Sequence, residues 1–216
     1  YLTYYLFKRR EICLFAAIIY SSHTYILLSS ITHLTIAMAY SLAPLILALF
    51  IQSLQEKTPR KAVLASIAFA VSMVYEVRIT YIIAGILVFY FLYTILMQDF
   101  SEFSGLLKIF IIFIATTITL GAYWILPFFL GGGREAFASR LPSKPWISWI
   151  QLIHAITLKH PWYAIVGEIK AFVVQPVDPI FLLVPIIAFS AILLRKNDKN
   201  VIFFSVLALI GIFLVK

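Results

Sequence analysis

The sequence predicts an all-α membrane protein, a polytopic bundle of about seven spanning helices with interfacial helices in one long external loop. Of the 216 residues, 63% are hydrophobic and 12% are charged, and the mean hydropathy is +1.02. Soluble domains carry about 25% charged residues. Residues 12–55 also contain no Asp, Glu, Lys or Arg, and this run is too long for one crossing of a bilayer core about 30 Å thick. We expect residues 1–216 to form a single transmembrane domain.

The first apolar run predicts a helical hairpin. Basic Lys8–Arg10 precedes it, the polar tip lies at Ser29–His33, and the second helix extends from about Thr32 to Leu54. In Thr58-Pro59, threonine is a preferred N-cap residue and proline is favoured at the first helical position. A third helix is therefore expected to begin there and to end near Tyr75.

The second apolar run, Ala62 to Met97, contains two charged residues, Glu76 and Arg78. As one helix it would span about 54 Å at 1.5 Å per residue, which exceeds the bilayer core. A charge at mid-membrane costs about 2.5–3.5 kcal/mol. The run therefore predicts two crossings, with a turn at 75–78 and a fourth helix from Ile79 to Met97.

Three further helices are predicted, at about 106–128, 178–194 and 200–215. Between the first two of them lies the longest polar-interrupted region, 130–178. Its segment 147–158 has polar residues at every third position, and three tryptophans lie nearby. This pattern is typical of a helix in the membrane interface.

The loop charges predict the orientation of the helices. Short loops with an excess of Lys and Arg face the cytoplasm, whereas long loops contribute little to orientation. The segments predicted to be cytoplasmic are 8–10, 55–61, 98–108 and 195–199, and those predicted to be external are 29–33, 76–78 and 130–178. Orientation explains much of the net charge of +8, so membrane lipids are the expected partners and nucleic acid is not.

Four residues are candidates for substrate or phosphate binding: Arg78, His33, Glu76 and Arg134. Arginine suits phosphate because its planar guanidinium binds two oxygens at once. On a helix, side chains two residues apart point about 200° apart, so Glu76 and Arg78 cannot pair on one helix face. In a turn, each could reach a different neighbour. The plainer alternatives are a charged cap on a tight turn for Glu76 and Arg78, a hydrogen-bonded interface residue for His33, and a headgroup contact for Arg134.

The sequence gives little support for a metal site or a recognisable catalytic motif. Cys13 is the only cysteine, so a disulfide within the chain and a cysteine metal site are excluded. His23 and His33 have no nearby carboxylate in sequence, which makes a poor metal-ligand set. No metal-binding residue is predicted, and the catalytic residues are not identified.

Several short motifs resemble the GT-C glycosyltransferase fold, in the group related to mycobacterial arabinofuranosyltransferases. The similarity lies in the order and spacing of these motifs, and the turn departs from the family's Asp-Pro-Arg in having Glu and Val. The motifs are Ala16–Tyr20, His33-Leu34, Ala39–Leu45, Tyr75–Arg78, Tyr123–Phe128 and Gly211–Lys216.

This resemblance implies a transferase that takes a sugar from a polyprenyl-phosphate donor on the external face of a prokaryotic plasma membrane. In such enzymes an acidic residue of the first external loop is the base. That loop would precede Tyr1, so the chain is expected to be an internal fragment without it. The resemblance specifies no cofactor, and a divalent metal in the full-length protein stays open. Two other hypotheses are a transporter or flippase of lipid-linked or polar solutes and a non-catalytic membrane scaffold.

Overall fold

The computed structural model describes residues 1–22, 26, 29–30, 33–98, 100–130, 178–195 and 198–214. These residues form helices and short connections, with no strand in any of the ranges, which confirms the all-α prediction. The helices are α1 (Leu2–Phe7), α2 (Arg10–Ser22), α3 (Leu34–Gln55), α4 (Pro59–Tyr75), α5 (Val77–Met97), α6 (Phe103–Leu130), α7 (Asp178–Leu194) and α8 (Lys199–Leu214), with a 3-10 turn at Phe100–Glu102.

Three of these helices are long and apolar enough to cross a membrane: α3, α5 and the part of α6 from Phe103 to Tyr123. The 22 residues of α3 correspond to about 33 Å, close to the thickness of a bilayer core. Shorter apolar helices cover Pro185–Leu194 and Lys199–Ile212. The membrane class predicted from composition is therefore confirmed, with three spanning candidates in the described part of the chain.

Most predicted helix boundaries agree with the structure within a few residues. Thr58 is the extended N-cap of α4 and Pro59 follows at its first turn, as the Thr-Pro pair predicts. The fourth predicted helix is α5 of the structure. It begins at Val77, two residues before the predicted Ile79, because Glu76 acts as its N-cap. Helix α1, which has six residues and Tyr1 as its N-cap, was not predicted from the sequence.

The chain divides into two compact units. One contains Tyr1–Leu14 and His33–Leu141, and the other contains Phe15–Thr32 and Pro142–Lys216. In the first unit, α4 packs against both α3 and α6, α5 packs against α3, and α1 packs against α3. In the second unit, α7 packs against α8, and the buried Phe203 contacts Phe204 edge to face with ring centroids 5.1 Å apart.

Small and aromatic side chains share the core of the first unit. Phe113 of α6 contacts Phe50 of α3 and Phe69 of α4 edge to face, with centroids 5.0 and 5.7 Å apart. Small side chains allow neighbouring helices to approach closely, and this drives helix association in membranes. The fully buried alanines are Ala39, Ala48, Ala62 and Ala65.

A buried serine links α4 to α6. The Ser66 hydroxyl donates to the carbonyl oxygens of Phe113 and Ala62, each at 2.9 Å. Hydrogen bonds between membrane helices average about 0.6 kcal/mol. We therefore expect Ser66→Ala to lower the free energy of unfolding by about 0.6 kcal/mol, measured by steric trapping in bicelles.

The matched control for this prediction is Ser41→Ala. Among the described residues, the exposed Ser41 hydroxyl bonds to Met38 O of its own helix, at 2.8 Å, so its loss leaves the contact between α4 and α6 intact. Equal unfolding free energies for the two variants would contradict a stabilising role for the Ser66 bond to α6.

The first unit has two ends of different charge. The basic end is formed by the end of α3, the start of α4 and the start of α6, and α1 docks there. Its cationic residues are Lys8, Arg9, Arg10, Lys57, Arg60, Lys61 and Lys108. The opposite end, which we call the Glu76 end, contains His33, Glu76 and Arg78. Segments 8–10 and 55–61 therefore lie at the same end of the unit, as the loop charges indicate.

Candidate functional site

The turn between α4 and α5 is built around Glu76. Its backbone is extended, with φ −156° and ψ 102°, and this breaks the helix after Tyr75. The Glu76 N–H donates to Ser72 O at 3.0 Å, and its carbonyl accepts from the Thr80 N–H at 3.2 Å. One residue therefore ends α4 and begins α5, which allows a turn of minimal length.

Glu76 and Arg78 form an ion pair with each other. Arg78 Nε donates to Glu76 Oε1 at 2.8 Å and Arg78 Nη2 donates to Oε2 at 3.0 Å. The expectation that the two side chains reach different neighbours is therefore wrong. The 200° separation applies only when both residues are helical, whereas the extended Glu76 backbone lets its carboxylate fold over the first turn of α5.

The two partners differ in exposure. The Glu76 side chain is 12% exposed, whereas that of Arg78 is 68% exposed. The Glu76 carboxylate also accepts from the Arg78 backbone N–H at 3.3 Å, as an N-cap residue does. Glu76 is thus fixed by the turn and holds an exposed guanidinium at the end of the bundle.

Hydrogen bonds from the Arg78 side chain hold the pKa of the Glu76 carboxyl below its ordinary value. Partial burial acts in the opposite direction, while the Arg78 backbone N–H and the charges of Arg78 and His33 lower the pKa further. The net shift is downward. The carboxylate is therefore ionised at neutral pH, and His33 lies within electrostatic range of it.

The lowered pKa predicts how stability depends on pH. A carboxyl whose pKa is lower in the folded state contributes stability above its unfolded pKa, and this contribution is lost as the pH falls through the folded pKa. We expect the wild type to lose more stability than Glu76→Gln as the pH is lowered below the ordinary value of 4.5. Unfolding titrations of both proteins at neutral and acidic pH measure this difference, and parallel curves would contradict it.

The structure places His33 at the same end of the bundle as Glu76 and Arg78. His33 is the N-cap of α3, and its carbonyl accepts from the N–H groups of Ile36 at 2.9 Å and Ala37 at 3.2 Å. His33 is also close enough to Glu76 for its charge to lower the pKa of the Glu76 carboxyl. Three of the four candidate residues, Arg78, His33 and Glu76, therefore lie together.

Two buried hydroxyls that were not predicted from the sequence support this turn. Ser72 Oγ donates to Ala39 O at 3.5 Å and lies 3.2 Å from Thr80 Oγ1, which donates to Glu76 O at 3.0 Å. They connect the start of α3, the end of α4 and the start of α5. Their positions, four residues before and four residues after Glu76, are a sequence signal that could have identified them.

The fourth candidate residue, Arg134, lies outside the described residues, as does segment 131–177 of the predicted external loop. Within the described ranges, no group of three His, Cys, Asp or Glu side chains is placed to hold a metal ion. The Glu76 end instead presents an exposed guanidinium, paired with the Glu76 carboxylate, in the first turn of α5, where the positive end of the helix dipole lies.

The chain matches no protein-family model, no curated protein and no solved structure. The short motifs that resemble GT-C glycosyltransferases therefore remain the basis of the family expectation. The geometry of Glu76, Arg78 and His33 is a separate observation that does not depend on that resemblance.

Proposed function

We propose that this chain is part of a GT-C-type membrane glycosyltransferase and that its Glu76 end contacts the phosphate of a polyprenyl-phosphate sugar donor. The observation that carries the phosphate contact is the exposed Arg78 guanidinium held by Glu76 at the end of a spanning helix. The transferase class rests on the motif resemblance.

The chemistry of Arg78 suits a lipid phosphate. A guanidinium carries five N–H donors in a fixed planar arrangement, and Glu76 accepts two side-chain bonds from it. The first turn of α5 adds the positive end of a helix dipole, which favours anions. The phosphate of a membrane-embedded donor lies at this depth, where the spanning helices end.

The proposed topology has seven crossings in the plasma membrane of a prokaryote. The basic end faces the cytoplasm, because short loops rich in Lys and Arg are retained there. The Glu76 end and segment 130–178 are then external, and 195–199 is cytoplasmic. The donor phosphate and Arg78 are on the same face in this arrangement.

Sugar transfer by the full-length protein tests the proposal. With a labelled polyprenyl-phosphate sugar as donor, Arg78→Ala and His33→Ala are expected to lower both donor binding and transfer. Arg195→Ala is the matched control, since it removes an exposed arginine from the connection after α7. Unchanged binding and transfer in both test variants would overturn the proposal.

A transporter of lipid-linked solutes is the second hypothesis, and it requires polar side chains along a path through the membrane. The buried hydroxyls of Ser66, Thr80 and Thr94 donate to backbone carbonyls, that of Ser66 across to α6 and the other two four residues back along the chain, so these hydroxyl protons are already bonded within the protein. Thr117 Oγ1 is the buried side-chain oxygen without a partner in the described part of the chain. This distribution favours a site at the membrane surface over a polar path.

A further inference from the structure

The basic end of the first unit contains two kinds of cationic side chain. Lys57 forms an ion pair with Glu102, and Lys61 forms one with Glu56 at 2.6 Å. The first pair connects the α3–α4 loop to the 3-10 turn before α6, and the second connects the first turn of α4 to the C-cap of α3. Lys57 and Lys61 are therefore largely neutralised by carboxylates of the protein itself.

A second set of cations has no ion-pair partner among the residues that the structure describes. These side chains are exposed: Arg9, Arg10, Arg60 and Lys108, three of them arginines, together with Lys8, whose Nζ lies against the Tyr5 ring. The nearest acidic residue in sequence to the first two is Glu11, which is also exposed. The carboxylates of Glu56 and Glu102 are engaged by the lysines.

The docking of α1 brings the first two arginines to the end of α3. Tyr1 Oη accepts from Gln52 Nε2 at 2.9 Å, and Tyr5 Oη donates to Gln55 Oε1 at 2.8 Å. Lys8 ends α1 in the left-handed conformation, with φ 54°, and its Nζ lies 4.6 Å from the centroid of the Tyr5 ring. The chain enters α2 immediately afterwards, through Arg9 and Arg10.

The other two cations lie at the same end. Arg60 is in the first turn of α4, which begins four residues after α3 ends. Lys108 is in the second turn of α6, whose start is tied to the α3–α4 loop by the pair of Lys57 and Glu102. Tyr1 and Tyr4 of α1 and its N-cap are exposed, as is common for tyrosines at the level of lipid headgroups.

We propose that Arg9, Arg10, Arg60 and Lys108 form a binding site for anionic phospholipid headgroups at the basic end of the bundle. Orientation in the membrane requires only an excess of basic residues in the short loops. Orientation alone does not explain which cations are paired. Two lysines form ion pairs, whereas the three arginines have none among the described residues, and a guanidinium binds two phosphate oxygens at once. The site is separate from the proposed donor contact and does not depend on it.

Competition between lipids tests this site. The purified chain in mixed micelles is offered labelled phosphatidylglycerol and phosphatidylcholine, and retention of each lipid is measured. A basic residue near an anionic surface contributes about 1 kcal/mol, or roughly fivefold in affinity. We expect a preference for phosphatidylglycerol that falls at least tenfold in the triple variant Arg9→Gln, Arg10→Gln, Arg60→Gln.

The matched control is the double variant Lys57→Gln, Glu102→Gln, which removes a pair of opposite charges without changing the net charge. We expect it to retain the lipid preference of the wild type. A triple variant with wild-type preference, or a double variant that loses the preference as strongly as the triple variant, would overturn the proposal.

Salt dependence of the wild type provides a test that requires no variant to fold. Raising the ionic strength from about 0.1 M to 1 M shortens the Debye length from about 10 Å to about 3 Å. The preference for phosphatidylglycerol should then decline steeply. A preference that is absent at low salt, or that does not change with salt, would contradict a headgroup site formed by exposed cations.

Discussion

Replacing Phe50 by alanine is expected to lower the free energy of unfolding by about 3–5 kcal/mol. Phe50 is fully buried, and its ring contacts Phe113 and Phe110 of α6 edge to face, with centroids 5.0 and 6.3 Å away. Such pairs contribute about 0.5–1.5 kcal/mol beyond area burial. In a membrane the driving force is packing, so the cost arises from the cavity between α3 and α6.

Steric trapping in bicelles measures this loss, and Phe15→Ala is the control. Phe15 of α2 is 55% exposed, so the same truncation there removes few contacts and should cost little. Phe50→Leu retains much of the volume and is expected to fall between the two. If Phe50→Ala and Phe15→Ala were equally stable, the packing of α3 against α6 would be contradicted.

Composition and breaks in the apolar runs were sufficient to predict most helix boundaries. The Thr58-Pro59 pair has a direct local cause, since N-cap and first-turn preferences act within a few residues. Helix α7 likewise begins at an Asp178-Pro179 pair, with proline in its first turn. These boundaries depend on neighbouring residues in sequence, so the sequence contains what is needed to locate them.

The inward faces of the helices were harder to predict. A spanning helix is apolar all round, so periodicity does not distinguish the packed face from the lipid face. The seam between α4 and α6 is formed by Ser66 with the carbonyl of Phe113, and by Gly121 close to Met73. These contacts join residues more than 40 positions apart and depend on tertiary packing.

The ion pair between Glu76 and Arg78 could not be predicted from the sequence pattern either. A helical projection excludes a contact between Glu76 and Arg78, but the N-cap geometry of Glu76 permits it. Helix α1 was missed for a related reason, since six residues carry too little periodicity to predict a helix. Its position is fixed by bonds of Tyr1 and Tyr5 to glutamines about 50 residues away.

Removing the Arg78 side chain is expected to weaken binding of a polyprenyl phosphate by about 10–150-fold, as a hydrogen bond to a charged group contributes about 1.5–3 kcal/mol. Arg78→Lys keeps the charge but loses the planar donor pair, so its affinity should fall between those of the wild type and Arg78→Ala. Equilibrium binding of a fluorescent polyprenyl phosphate in micelles measures the series, with Arg195→Ala as the control.

Glu76→Gln is the variant that separates a binding role from a structural one. The amide oxygen can still accept from the Arg78 backbone N–H and cap α5, while the negative charge that competes with phosphate for the guanidinium is gone. A phosphate contact at Arg78 therefore predicts that Glu76→Gln binds more tightly and Arg78→Ala more weakly than the wild type. If the pair serves only to hold the turn, neither variant changes affinity or both weaken it, and the proposed phosphate contact is then wrong.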